Sequence, residues 1–353
     1  MGRKISLRRK IWKGLGLADR PVVKVYRGYS SGNQVVAYGH VLRLSPLPRR
    51  RYRHTVLSNT LALLRLFMVK PVPNVAVRLL GTTQRVQALT DRDGFFRLEW
   101  TTPRPLEPGW HAVQVGLVST YTGRPEVFAV GEGEIFAPHP TALGCISDID
   151  DTFLISHSSN LRKRLRVLLT ESALSRDPFE KVVEHYQQLA LLGTSPARPN
   201  PFFYVSSSEW NLYEYICDFS GKHALPKGVY LLSALKRLSQ VYRTGQGRHL
   251  TKFARIVRIL EAFPTQRFVL LGDDTQEDPT IYASLTEHFA AQIVCVYLRQ
   301  VEAKNREQTW QFVARIRATG TECCYFAHSA EAMEHTRGLR LPPAEAASNQ
   351  PAG

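Results

Sequence analysis

The residues 147–153 read SDIDDTF, directly after the apolar run ALGCI, so Asp148, Asp150 and Asp151 crowd together where a buried strand surfaces. Like charges this close repel, and a divalent cation among them would relieve that cost. Mg²⁺ suits the position, because it prefers hard oxygen ligands and is commonly held by a few carboxylates together with a substrate phosphate. One aspartate of such a cluster could attack phosphorus to give an aspartyl-phosphate. A second carboxyl, two residues on, could protonate the leaving oxygen and later activate water.

Further polar residues follow other apolar runs. Ser206, Ser207 and Ser208 follow FFYV, and Gly272, Asp273 and Asp274 follow RFVLL, with Asp278 a little further along. Lys252 lies in the helical pattern that feeds this last run. Taken singly, each has an ordinary reading. An Asp after a strand forms a turn, Ser208 before EWNLYEYI suits a helix N-cap, and Lys252 alone would be a surface lysine. Their conjunction at the ends of successive strands carries the signal, because ligands of an open parallel sheet bind beyond the carboxyl ends of its strands.

The elements that would position these residues can be traced through the chain of 353 residues, enough for two ordinary domains. From Pro21 to Pro138 the sequence is a series of β-branched and aromatic runs (VVKVYRGY, QVVAYGHVLRL, NVAVRLL, FFRLEW, HAVQVGLV, VFAVGEGEIF) broken by Gly, Pro, Asn and Asp. This spacing predicts an all-β sandwich over 21–138, with TDRDGFF at 90–96 as a tight turn and no catalytic constellation. After APHPTA the pattern changes. The runs LGCIS, FFYVS, GVYLLS, RFVLLG and QIVCVYLR alternate with helical patterns at 179–192 and 251–262, which predicts a parallel α/β sheet covered on both faces over 141–340. The small, polar, Pro-containing residues 341–353 read as a disordered tail.

Charge and cysteine content narrow the setting. Net charge is +16, and residues 1–53 hold fourteen Lys or Arg against Asp19 alone, a net +13 in that segment. Residues 1–20 form a basic N-terminal segment with Leu7, Ile11 and Leu15 at helical spacing, and MGRKIS fits an N-myristoylation pattern. An anionic membrane surface is the partner such a segment suits. The sequence lacks the aromatic and basic interleaving of single-strand platforms, which argues against nucleic acid. Five cysteines without CxxC spacing read as reduced thiols, and neither a secretion signal nor a membrane span is evident. The expected location is therefore cytoplasmic, peripheral on a membrane. Oligomeric state is not readable.

DIDDT at 148–152 resembles the first motif, DxDx[TV], of the haloacid dehalogenase superfamily of phosphatases. The resemblance implies Asp148 as nucleophile and Asp150 as general acid/base, with Thr152 in support. Ser206 matches the phosphate-binding second motif, with Ser207 beside it, and Lys252 matches the third-motif lysine. GDDTQED matches the fourth motif in its GDxxxxD form, implying Asp273 as a metal ligand and Asp278 as a supporting acid. Mg²⁺ would then rest on Asp148, Asp273 and the backbone carbonyl of Asp150.

PVVKVYRGY, TDRDGFF, ISDIDDT, FFYVSSSEWNLY and GDDTQEDPTIY together resemble the phosphatidate phosphatase family typified by a fungal actin-patch protein. The likeness runs over residues 11–302 and implies Mg²⁺-dependent hydrolysis of phosphatidate to diacylglycerol and phosphate. Phe153, Thr251 and the pair Asp274-Thr275 depart from the usual family residues; at the last, Ser-Gly is usual. Fewer than sixty residues separate Asp148 from Ser206, which leaves little for a large cap domain and predicts an open site. The cations Arg162, Lys163, Arg164 and Arg166 fall in this interval, either near the mouth or on a solvated helix face. Other phosphate monoesters, and a non-catalytic membrane-binding scaffold, stand as alternatives; the intact set of motif residues argues against the scaffold.

Overall fold

The computed structural model describes residues 21–44, 70–119, 126–149, 181–234, 248–275 and 277–340. Asp150, Thr152, the basic stretches at 1–20, 45–53 and 160–169, the start of the helix expected from 179, and the tail at 341–353 lie outside the described residues. Those up to Ala137 form one compact unit. Those at 138–233 and from 248 on belong to another.

The first unit contains β1 (Val22–Ser31), β2 (Gln34–Leu44), β3 (Lys70–Pro71), β4 (Ala76–Leu79), β5 (Gln87–Leu89), β6 (Phe95–Thr101), β7 (Gly109–Ser119) and β8 (Glu126–Ala137). Pairing runs β3-β2-β1-β8-β7-β4-β5, and β6 also pairs with β2. One edge of β2 is shared: residues 34–40 pair with β6, and Leu42 and Leu44 with β3. Neighbours are antiparallel except β1 and β8, whose register runs Gly28 to Ile135 and Tyr29 to Phe136. A single hydrogen-bonded network thus holds the strands expected to form a sandwich.

Period-2 alternation turns one face of each strand inward. Val35, Ala37 and Val41 of β2, Phe96 and Leu98 of β6, Val77 and Leu79 of β4, and Val113, Val115 and Leu117 of β7 join one core. Strands from opposite ends of the sheet order share it, so the sheet curls over its own apolar face. The TDRDGFF turn is present: Asp91 Oδ1 accepts the N–H groups of Asp93 (2.8 Å) and Phe95 (2.9 Å).

The second unit has a six-stranded sheet of β9 (Leu143–Asp148), β10 (Phe202–Glu209), β11 (Val229–Ser233), β12 (Arg267–Asp273), β13 (Ile293–Arg299) and β14 (Glu322–Phe326). Its order is β11-β10-β9-β12-β13-β14, with every neighbouring pair parallel. The described helices are α1 (Val182–Leu191), α2 (Tyr213–Lys222), α3 (Arg248–Ala262), α4 (Asp278–Phe289), α5 (Arg306–Ala318) and α6 (Ser329–Gly338). All six residues of β9 and all but the first of β12 are buried, which is why they read as unbroken apolar runs.

From β9 the chain winds outward to β10 and β11, then returns to place β12 on the other side of β9. The order therefore reverses between β9 and β12, a topological switch point where a crevice opens beyond the strand ends. Asp148 ends β9 and Asp273 ends β12. Two differences from the sequence reading appear here. Ser208 lies inside β10 and does not cap a helix, because the chain stays extended to Glu209 before the short 3₁₀ turn Trp210–Leu212. The ECCYF run, without an assignment in the sequence, is the edge strand β14 and supplies the place of Cys323 and Cys324, both free thiols.

Candidate active site

Asp148, Asp273 and Asp278 are sealed from solvent, and one carboxylate oxygen from each lies within 4.8 Å of the others. Lys252, also buried, stands among them: its Nζ is 2.8 Å from Asp148 Oδ1 and forms a second ion pair with Asp278 Oδ1. Burial opposes the lysine's charge, but Asp148 and Asp278 outweigh it and hold the ammonium above its ordinary pKa. Lys252 is therefore held as the charged ammonium.

Local sequence explains how these groups meet. Asp278 opens α4 with Pro279 behind it, a pairing suited to a helix start, where an acid also favours the dipole. Its carboxylate folds back over Gly272: a Cβ there would stand 2.4 Å from Asp278 Oδ2 and 2.7 Å from Tyr282 Cε2. The glycine of the GDxxxxD pattern thus leaves the space that the last aspartate of the pattern fills. Tyr282, one turn further along α4, donates to the Leu271 carbonyl (2.8 Å) and ties the helix to β12.

The two aspartates of GDD have separate tasks. Asp273 Oδ1 accepts the N–H (2.6 Å) and hydroxyl (2.5 Å) of Thr275. Asp274 turns elsewhere. Its Oδ1 accepts the N–H groups of Val301 (2.8 Å) and Glu302 (3.1 Å), and its Oδ2 accepts the Tyr325 hydroxyl (2.7 Å). Read from sequence as one of the converging acids, Asp274 is a brace for the turn after β13. The reason is geometric: successive residues of an extended strand end point to opposite faces.

Ser206 follows Val205, the register partner of Asp148, so it sits beside the cluster on the neighbouring strand. Its Oγ accepts the Ser208 N–H (2.8 Å), while its carbonyl accepts Arg255 Nη1 (3.2 Å). Ser207 beside it is half-buried. Arg255, one turn beyond Lys252, also reaches Ser233 Oγ at the end of β11 (3.3 Å). Burial and the nearby Arg258 lower its pKa to about 10, so it remains charged at neutral pH.

Sequence reading passed over Arg255 and two further groups. Tyr186 of α1 is buried with its hydroxyl 2.7 Å from Ser147 Oγ, and Ser147 donates to the Asp148 carbonyl (2.6 Å), so the backbone of the first aspartate is braced from behind. Arg299 is the register partner of Asp273, is buried, donates to Ser329 Oγ (2.5 Å) and stacks on Phe326. A charge ending the apolar run IVCVYL was a legible sign that this strand end faces other charges.

Lys252 balances one of the three carboxylates and Arg299 stands beside a second. The hard oxygen donors and residual negative charge fit a divalent cation such as Mg²⁺. The doubly wound sheet thus gathers buried carboxylates and a lysine at its switch point. Residues 143–300 match the family model of the catalytic domain of phosphatidate phosphatase APP1.

The chain is 26% identical over 168 residues to phosphatidate phosphatase APP1 of Saccharomyces cerevisiae, covering 45% of this chain and 26% of that one. It is 20% identical over 215 residues to an uncharacterized protein of Schizosaccharomyces pombe, covering 60% of this chain and 34% of the relative. It thus spans about a quarter to a third of the length of these curated relatives. A solved FMN-binding β-glucuronidase from Facaelibacterium prausnitzii matches 88% of this chain and 47% of its own at 10% identity, with a TM-score of 0.22, too low to inform the fold.

Proposed function

We propose that this protein is a Mg²⁺-dependent phosphatase that hydrolyses phosphatidate to diacylglycerol and phosphate while docked on an anionic membrane surface from the cytoplasmic side. The observation that carries the reading is the buried group of Asp148, Asp273 and Asp278 around Lys252, within the stretch that matches the phosphatidate phosphatase catalytic domain. In keeping with a haloacid dehalogenase-like mechanism, Asp148 is the nucleophile. Its carboxylate attacks phosphorus, the ester P–O bond breaks, and the diacylglycerol oxygen leaves with the proton of Asp150. Asp150 then takes a proton from water, whose oxygen attacks the aspartyl-phosphate and frees Asp148 and inorganic phosphate.

Asp148 and Asp273, with the backbone of Asp150, are the residues that would hold Mg²⁺, which when bound offsets the charge of the carboxylates and of the incoming phosphate dianion. Lys252 adds a fixed positive charge beside the nucleophile, and its pairing with Asp278 holds the ammonium in place. Ser206 is suited to binding the phosphate, with Ser207 and Thr152 in support. Among the described residues no helix is long and apolar enough to cross a membrane, so contact with lipid would rest on the basic residues 1–20.

The test is phosphate release from phosphatidate in mixed micelles, with and without Mg²⁺, by wild type and Asp148→Asn. Mg²⁺-dependent release, lost on substitution by at least about a thousandfold as expected for a removed nucleophile, supports the proposal. Release from a small aryl phosphate alone, still dependent on Asp148, would keep the chemistry and sink the lipid substrate.

A further inference from the structure

We infer that Thr275 and Asp274 are positioning residues that preset Asp273 as a metal ligand, a device this chain builds where Ser-Gly is usual in the family it resembles. The inference rests on the Mg²⁺ site proposed above and goes beyond it by assigning roles to two residues outside the ligand set. Asp273 stands at the last position of β12. Thr275 orients its carboxylate by donating both its backbone N–H (2.6 Å) and its hydroxyl (2.5 Å) to the same oxygen, Oδ1. A glycine at this position could offer the N–H but no hydroxyl.

The clamp holds only if residue 275 itself is fixed, and Asp274 fixes it. The Asp274 N–H donates to the Arg299 carbonyl (3.1 Å) and so extends the β12–β13 ladder by one residue. Its carboxylate is held by Val301, Glu302 and Tyr325, and its carbonyl accepts the Asn305 side-chain amide. Five hydrogen bonds to β13, the following turn and β14 thus pin the residue between ligand and clamp. Both Asp274 and Asp273 are buried. Groups that orient a metal-ligating carboxylate typically change metal affinity 10–100-fold when removed, because a ligand held ready loses less freedom on binding.

The experiment titrates the full-length protein with Mg²⁺ alone in a calorimeter, and separately follows activity against Mg²⁺ concentration. Thr275→Val keeps the shape and removes the hydroxyl; it is expected to weaken Mg²⁺ binding about tenfold, with kcat at saturating Mg²⁺ within about twofold of wild type. Thr275→Ser restores the hydroxyl and is expected to restore the affinity. Asp274→Asn, which leaves the Thr275 hydroxyl in place but weakens its footing, is expected to fall between them.

Equal Mg²⁺ affinity in wild type and Thr275→Val overturns the inference, as does a failure of Thr275→Ser to recover what Thr275→Val loses. A loss in kcat with unchanged affinity overturns it as well. A wild-type protein that hydrolyses phosphate esters but binds no Mg²⁺ overturns both this inference and the cofactor assignment, while equal affinities in a Mg²⁺-dependent wild type overturn this one alone.

Discussion

Among the described residues of the β unit, the polar side chains sealed from water are Ser30, His40 and Thr90; the α/β unit seals in Asp148, Asp273, Asp274, Asp278, Glu209, Lys252 and Arg299 as well as several neutral groups. The β unit keeps even its buried histidine uncharged. His40 lies against the Tyr26 hydroxyl (3.0 Å), and burial with the nearby Lys24 lowers its pKa to about 3. Transferring an ionised group from water costs several kcal/mol unless partners compensate. A core of Val, Leu and Phe meets no such cost. Where the chain carries it, at the switch point of one sheet, Asp148, Asp273 and Asp278 gather around Lys252. The contrast marks one unit as an apolar core and the other as the place where buried charge is concentrated.

The sharpest way to test that contrast is to remove the central cation. Lys252→Met leaves Asp148 and Asp278 without their shared ammonium, and loss of one partner of a buried pair costs about 3–5 kcal/mol. Denaturant unfolding should show the drop, and phosphatase activity should vanish in the fraction that remains folded. A loss below about 1 kcal/mol would mean that the carboxylates tolerate each other by other means, and the picture of a compensated cluster would fail.

A pair of glycine substitutions compares the units directly. In Gly131→Ala of β8, the new Cβ would stand 2.3 Å from the Val23 carbonyl oxygen across the sheet. In Gly272→Ala it would stand 2.4 Å from Asp278 Oδ2. Both overpack a buried position and should cost about 1–3 kcal/mol. Only Gly272→Ala displaces a member of the charged cluster, so only it should lower kcat, by an expected tenfold or more on the scale of a misplaced orienting group. If Gly131→Ala lowers kcat of the folded protein equally, the division of labour between the units is wrong.

Much of this arrangement was legible because its residues lie close to recognisable breaks in hydrophobic patterning. Asp148 and Asp273 each end an apolar run, Asp278 precedes a proline at a helix start, and Lys252 lies on the face of a helix whose apolar spacing was plain. The strands carrying them could be read for the same reason. What escaped depends on contacts distant in sequence. Arg255 reaches Ser206 across 49 positions, Tyr325 reaches Asp274 across 51, and no local pattern announces either. Asp274 departs from the expected convergence because neighbours in sequence need not face the same point: its carboxylate meets Val301 and Glu302. The short strands β3 and β5 lack enough residues to display a period, and β14 was hidden by a run of only five residues with two cysteines.

The smallest effect concerns the one titration behaviour the two units share. Burial, with Arg299 and His335 nearby, lowers the pKa of His185 to about 3, and His40 is lowered to a similar value by burial and Lys24. Both imidazoles are therefore neutral in the folded state across the range where an unfolded histidine, with a pKa near 6.5, takes up a proton. Between pH 6.5 and about 3 the unfolded chain binds more protons than the folded one. Stability is complete above pH 6.5 and falls as pH drops through this window, by at most about 1.4 kcal/mol per pH unit for each histidine. Urea midpoints at pH 7.5, 6.5 and 5.5 should decline only over the lower interval. His40→Phe should flatten that decline in the transition of the β unit, and His185→Phe in that of the α/β unit. Because His185 also meets Thr336 (3.0 Å) and His40 meets Tyr26 (3.0 Å), each replacement should lower the plateau as well. A decline of unchanged steepness in both variants would assign the acid sensitivity to the carboxylates, and would return the comparison to the buried charges of the α/β unit.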